Sequence, residues 1–223
     1  SKCHFAEYRF SEDLDFTAVS ALNSESVRGI VQNAAEAMQR QAGVRTAERP
    51  ALIDVINDDY GRESFEARIY FRGPWNFGGS PRSLRIHVSR DEAILFSPVD
   101  RDIAHPYSDK EDLPAVKMRT YALEEVCSEK LRAFSGQRKH AIARDVFDLY
   151  QLSKRPLDFG AVVESFPAKC KVKGIDPKHL RMETVRKREE EYRLNWKRSV
   201  EHLIPKPLNV SFQECWAAAL DLL

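Results

Sequence analysis

No run of apolar residues in this sequence is long enough to span a bilayer, and its start lacks the basic-then-apolar order of a secretion signal. No CxxC pair occurs either. Cys3, Cys127, Cys170 and Cys215 are scattered without the ligand spacing of a zinc-thiolate site. Cys127 and Cys215 fall within apolar helical patterns and read as reduced core residues of a reducing compartment, not as halves of disulfides. Charge of one sign does not dominate. A formal net charge of +1 neither demands nor excludes a polyanionic partner, a matter that local patches decide. These absences predict a cytoplasmic protein without membrane attachment.

The 223 residues are enough for one large domain or two small ones, and 43% hydrophobic with 31% charged residues is the balance of an ordinary globular chain. Early periodicities are mixed. Leu14 and Phe16 alternate with Asp13 and Asp15 in a short strand pattern. Residues 24–42 predict a helix capped by Ser24, with Val27, Ile30, Val31, Ala34, Ala35 and Met38 as its apolar stripe. Strand patterns follow near 51–58, 64–73, 83–90 and 93–99, and the Gly- and Pro-rich GPWNFGGSPR predicts a hairpin connection between two of them.

Beyond about residue 115 the period becomes helical. YALEEVCSEKLRAFSG predicts a helix stopped at Gly136, and AIARDVFDLYQLSK a second stopped by Pro156. DFGAVVESFPAK predicts a shorter helix, residues 177–204 one long charged helix ending before Pro205, and SFQECWAAALDLL an amphipathic close. The order predicts an α+β class, with an α+β domain over 1–115 and a helical domain over 116–223 that completes a cleft between them. The charged run RKREEEYRLNWKR reads first as the solvated face of a helix, since its charges of opposite sign are interspersed.

Two groups of residues could carry chemistry. Asp13 and Asp15 are two apart, so on a strand they point the same way. Paired carboxylates repel unless a cation sits between them, and a hard ion such as Mg²⁺ suits that oxygen pair. Two surface acids on an edge strand are the plain alternative. In the second group, Lys130 lies in the first helix, and Asp145 and Asp148 share a face of the next, with Arg144 beside them and Arg138 and Lys139 in the connection. Spacing favours a structural ion pair there, with a phosphate-binding lysine as the alternative.

Taken in order, FSEDLDF, SLRIHVSRDE, LEEVCSEKLRA and ARDVFDLYQL resemble the AbiEii/AbiGii-type toxin family over Arg9 to about Leu152, the helical EK and RD..D elements being the more specific part. The resemblance implies a minimal nucleotidyltransferase fold, polymerase-β-like in architecture, followed by helices. It also implies a phage-defence toxin with a separately encoded antitoxin, and a Mg²⁺-dependent transfer of a nucleotide from a nucleoside triphosphate to tRNA or to a protein.

On that resemblance Asp13 and Asp15 would bind the metal and Ser11 would lie near the nucleotide phosphates. Lys130 and Arg144 would contact the nucleotide, Asp145 would be the acid of the last motif, and Asp148 would be structural. The family opens with a Gly-Gly-Ser/Thr turn ahead of RFSEDLDF, whereas the sequence given starts at Ser1. Either the fold begins there, or a preceding segment is absent and the chain is a truncated, inactive form. The family often has a third acid where this chain has His87, in LRIHVS. The rival readings are a nucleotide- or antitoxin-binding relative without catalysis, and an RNA-binding module using Arg138, Lys139, Arg186, Lys187, Arg188 and Arg193.

Overall fold

A computed structural model describes residues 3–5, 8–11, 13–46, 51–57, 63–72, 79–90, 92–105, 108, 111, 115–138 and 140–223. The chain divides into two compact units, one of residues 11–92 and the other of 1–10 with 93–223.

The smaller unit is a mixed sheet with one helix against it. Its strands are β1 (Asp13–Thr17), β2 (Arg45–Thr46), β3 (Leu52–Asn57), β4 (Glu63–Arg72) and β5 (Arg82–Ser89). Their order is β1-β5-β4-β2, with β3 also paired to β4. The β1–β5 pairing is parallel and the others are antiparallel. Strand β4 is central because Phe65, Ala67 and Ile69 recur every second residue and give one face to a core. Helix α1 (Ser24–Ala42) covers that face with Val27 and Val31, joined by Ala34, Ala35 and Met38.

The expected stripe holds except at Ile30, which is 60% exposed. The cap also differs. Asn23 Oδ1 accepts from Ser26 N at 2.8 Å, so Asn23, not Ser24, closes the helix start. Gly43 takes the left-handed conformation (φ 60°) that ends the helix. Strands β4 and β5 form the expected hairpin, though residues 73–78 of its connection lie outside the described residues.

The larger unit holds a two-stranded ribbon, β6 (Val99–Asp102) with β7 (Lys117–Thr120), and helices α2 (Leu123–Arg132), α3 (Ala143–Ser153), α4 (Phe159–Val172), α5 (Met182–Arg186), α6 (Glu189–Ser199) and α7 (Phe212–Asp221). Helix α2 runs on into a π turn at Ala133–Gln137, where Ser135 Oγ donates to Leu131 O at 2.7 Å. An aromatic core joins the helices: Phe134 meets Tyr192 and Trp216 edge-on, and Trp216 stacks on Phe212. Cys127 and Cys215 are fully buried free thiols, as expected, and burial pushes both up to about 12.

Two expected elements differ. Residues 93–98 are not a strand, because the Glu125 carboxylate takes the backbone N–H of Leu95 (2.8 Å) and Phe96 (2.7 Å) that a neighbouring strand would need. Residues 177–204 are not one helix. A 3₁₀ turn at Pro177–His179, extended backbone at Leu180 and Arg181, and a break at Arg188 divide them. At that break the Arg188 backbone N–H turns back to Val185 O at 2.9 Å, the tighter bond of a 3₁₀ turn, while its side chain donates to Arg138 O at 3.0 Å. Both flanks of the larger unit are tied to its helices. Phe10 N donates to Leu203 O at 2.9 Å, and Lys169 Nζ to Ala93 O at 2.6 Å, so both flanks pack with the helices.

Candidate functional site

The first group of candidate residues lies in the smaller unit. Asp13 and Asp15 sit on one face of β1, opposite the α1-covered face, and the parallel register sets them beside Arg85 and His87 of β5. Arg85 Nη1 is 3.6 Å from Asp13 Oδ1, and His87 Nδ1 is 4.0 Å from Asp15 Oδ1. Asp15 is largely exposed, with 80% of its side chain accessible. Ser11 Oγ donates to Asp13 O at 3.0 Å and so shapes the entry to the strand. One register position further, Glu66 of β4 stands beside His87 and is held by Arg68 at 2.8 Å.

Among the described residues no three His, Cys, Asp or Glu side chains are gathered closely enough to enclose a metal ion. The donor chemistry nevertheless fits a hard divalent cation that takes its remaining ligands from water and phosphate oxygens: two carboxylates on one strand face supply the anionic oxygens.

The second group lies in the larger unit, on α2 and α3. Lys130 Nζ is 2.7 Å from both Asp145 Oδ1 and Asp148 Oδ2, so both acids flagged in the sequence meet the same lysine. Arg138 Nη1 stands 3.6 Å from Asp145 Oδ2. Arg9 grips Asp148 with two hydrogen bonds, 2.8 Å and 3.0 Å, and Tyr8 OH donates to the same carboxylate. The acids are buried, whereas Lys130 keeps 25% of its side chain exposed. An ammonium has three donors and the two aspartates take two, which leaves one to offer a phosphate. With Arg9, Lys130 and Arg138 against two carboxylates, the group carries a surplus of positive charge. Arg144 is half-buried beside Asp145, and Lys139 lies outside the described residues.

Burial by itself would raise the Asp148 carboxyl; the charges and hydrogen bonds of Lys130 and Arg9 outweigh it and hold the group well below the usual carboxylate range. Burial would likewise lower Lys130, but Asp145 and Asp148 keep its ammonium above the ordinary lysine range. A depressed carboxyl stabilises the fold fully above its unfolded value of 3.8 and loses that contribution as pH falls through the folded value. Asp148→Asn should therefore cost about 3 kcal/mol near pH 7, and the gap from the parent should close as the pH falls below about 3. Urea denaturation at a series of pH values checks both the size and the sign.

Tyr8 and Arg9 were invisible as partners of Asp148 because 140 and 139 residues separate them. Glu191 and Asn195 were also missed. One turn apart on α6, they accept the backbone N–H of Ala141 (2.7 Å) and Ala143 (2.9 Å), closing the start of the helix that carries Asp145. Their place in a charged run gave no sign of this. Arg188 and Arg193, which the rival RNA-binding reading needs for a basic patch, are paired with Glu191 and with Glu189 and Glu190, in keeping with the interspersed charges of the run.

The family model for the nucleotidyl transferase AbiEii toxin of a Type IV toxin–antitoxin system matches residues 1–218. Among solved structures, the nucleotidyltransferase toxin MenT4 (Rv2826c) of Mycobacterium tuberculosis H37Rv is similar in fold. It has a TM-score of 0.53 and 20% identity, over 96% of this chain and 67% of that one. No curated protein matches the chain in sequence. Among the described residues no helix is long and apolar enough to cross a membrane.

Proposed function

The chain belongs to the AbiEii nucleotidyl transferase toxin family, and from that membership we propose that it transfers a nucleotide from a nucleoside triphosphate to an acceptor hydroxyl with release of pyrophosphate. The observation that carries this reading is the pair Asp13 and Asp15 on one face of β1. Asp13 and Asp15 hold a divalent cation, whose contribution when bound is to neutralise charge on the transferring phosphate. Ser11 lies at the same strand entry, near the phosphates.

Lys130 gives its remaining donor to a phosphate oxygen. Asp145 orients that lysine, Arg144 adds a second cation for the nucleotide, and Asp148 serves as the buried anchor. The acceptor is an RNA end, in the first instance tRNA, or a protein hydroxyl. In the cell the protein acts as a cytoplasmic toxin of a phage-defence pair, held in check by a separately encoded antitoxin.

Calorimetric titration of ATP, CTP, GTP and UTP with Mg²⁺ tests the reading. At least one should bind the parent, and an Asp13→Ala/Asp15→Ala variant should bind it at least about tenfold more weakly. Binding that ignores both metal and acids would overturn the metal role, and no binding at all would remove the transferase reading. A second reading, a nucleotide-binding relative without catalysis, is favoured by Arg85 beside Asp13, which already offsets part of the charge a cation needs. Metal-dependent binding without transfer to RNA or protein would select it.

A further inference from the structure

Helix α3 brings Asp145 to Lys130 but has no cap of its own. Ile142 stands at its N-cap position and offers no side-chain oxygen to the N–H groups of the first turn. Helix α6 supplies the missing acceptors. Glu191 Oε1 accepts the backbone N–H of Ala141 at 2.7 Å, and Asn195 Oδ1 accepts that of Ala143 at 2.9 Å. The spacings match. Four residues of α6 rise about 6 Å, and two residues of the extended backbone around Ile142 advance about 7 Å.

Both capping side chains are themselves held. Ser199 Oγ donates to Asn195 Oδ1 at 2.9 Å, and Arg188 donates to the two oxygens of Glu191 at 2.8 Å and 3.1 Å. Arg188 Nη1 also donates to Arg138 O, so the connection into α3 hangs on α6 at residues 138, 141 and 143. The two acids that share Lys130 depend on this hold unequally. Asp148 lies about one turn further into α3 and is gripped by Tyr8 and Arg9 as well. Asp145 is the third residue of the helix, and it meets Lys130 and Arg138. An uncapped first turn frays, which would move Asp145 and Arg138 together and leave Asp148 in place.

We propose that Asn195 and Glu191 of α6 are positioning residues for the nucleotide site: by closing the start of α3 they hold Asp145 against Lys130, and so aim the remaining donor of the lysine at a phosphate. The proposal rests on the reading that Lys130 contacts a nucleoside triphosphate. It gives the charged run of α6 an inward use, because Glu191 and Asn195 spend their oxygens on the backbone of the connection. Neither residue touches the nucleotide. Their effect passes through Asp145, and that route is what separates positioning from a cap that contributes stability alone.

The test uses the full chain and a double-mutant cycle between Asn195→Ala and Asp145→Asn. Calorimetry follows whichever of ATP, CTP, GTP and UTP binds the parent most tightly with Mg²⁺. Asn195→Ala should weaken that binding about tenfold. Asn195→Asp keeps an oxygen for the Ala143 N–H and the Ser199 hydroxyl, and should bind within about threefold of the parent. Asp145→Asn should weaken binding by itself. In that background Asn195→Ala should add less than about twofold, because the residue it acts through is already lost. Hydrogen exchange of the protein without nucleotide gives a second readout. Residues 141–145 should exchange at least about tenfold faster in Asn195→Ala, and residues 147–152 as in the parent.

Cooperative melts establish that each variant is folded, and Glu191→Ala takes the place of Asn195→Ala if that one is not. Equal losses from the α6 variant in both backgrounds, or unchanged exchange at 141–145, overturn the positioning role and leave the transferase reading standing. A parent that binds no nucleotide overturns it too, and in that case the transferase reading falls with it.

Discussion

Asp15→Ala is expected to lower nucleotide transfer by about 10³-fold while leaving the stability of the fold within about 0.5 kcal/mol of the parent. Both halves of that expectation follow from where the residue sits. The Asp15 side chain is 80% exposed on an edge strand, with His87 4.0 Å away, so truncation breaks no buried contact. A carboxylate that holds the cation in phosphoryl chemistry accounts for about 4 kcal/mol of transition-state stabilisation, which corresponds to about three powers of ten in rate. Transfer of label from radioactive nucleoside triphosphates to total RNA measures the first half, and a melting curve the second. A variant that melts like the parent and still transfers within tenfold of it would show that the acids of β1 are surface residues and no more.

Lys169→Met should do the reverse, destabilising the larger unit without touching any group assigned to the reaction. Lys169 of α4 is completely buried, as is Glu125 of α2. Its ammonium is ion-paired with Glu125, donates to Glu129 Oε1 at 3.0 Å and donates to Ala93 O at 2.6 Å. The other oxygen of Glu125 holds the N–H groups of Leu95 and Phe96.

Removing the lysine leaves a carboxylate buried without its counter-ion, at a cost of about 3–5 kcal/mol and a fall in Tm of about 6–20 °C. Adding Glu125→Gln to it removes the stranded charge and should recover more than half of the loss. Urea denaturation of the single and double variants measures both. A loss below about 1 kcal/mol for the single variant would mean that the pair is solvated or rearranged in solution.

Helices α1, α2, α3 and α7 and strands β3 to β5 were legible because their periods were carried by residues the core then used. Val27 and Val31 lie on one side of α1, and Phe65, Ala67 and Ile69 on one side of β4. The common face of Asp13 and Asp15 was legible for the same reason, since alternation along a strand is a local property. So was the meeting of Lys130 with an aspartate of the next helix, although spacing favoured a structural pair and could not tell that Lys130 is shared between Asp145 and Asp148.

What failed was non-local. AILFSPV has a strand's composition, but its backbone donors go to a carboxylate about 30 residues away. Residues 177–204 have a helical period through Val185, Tyr192 and Trp196, but the backbone breaks at Arg188, whose side chain reaches a carbonyl 50 residues distant. The family match over residues 1–218 agrees with what motif order suggested.

By itself, then, the sequence determined the class of fold, most helix and strand positions, and the pairing of two acids on one strand face, because these depend on residues close together in the chain. The tertiary structure alone decided which charges neutralise one another. It placed Asp148 between Tyr8, Arg9 and Lys130, and it set His87 beside Asp15. Electrostatic partners act through space across more than a hundred residues, and no local period records them.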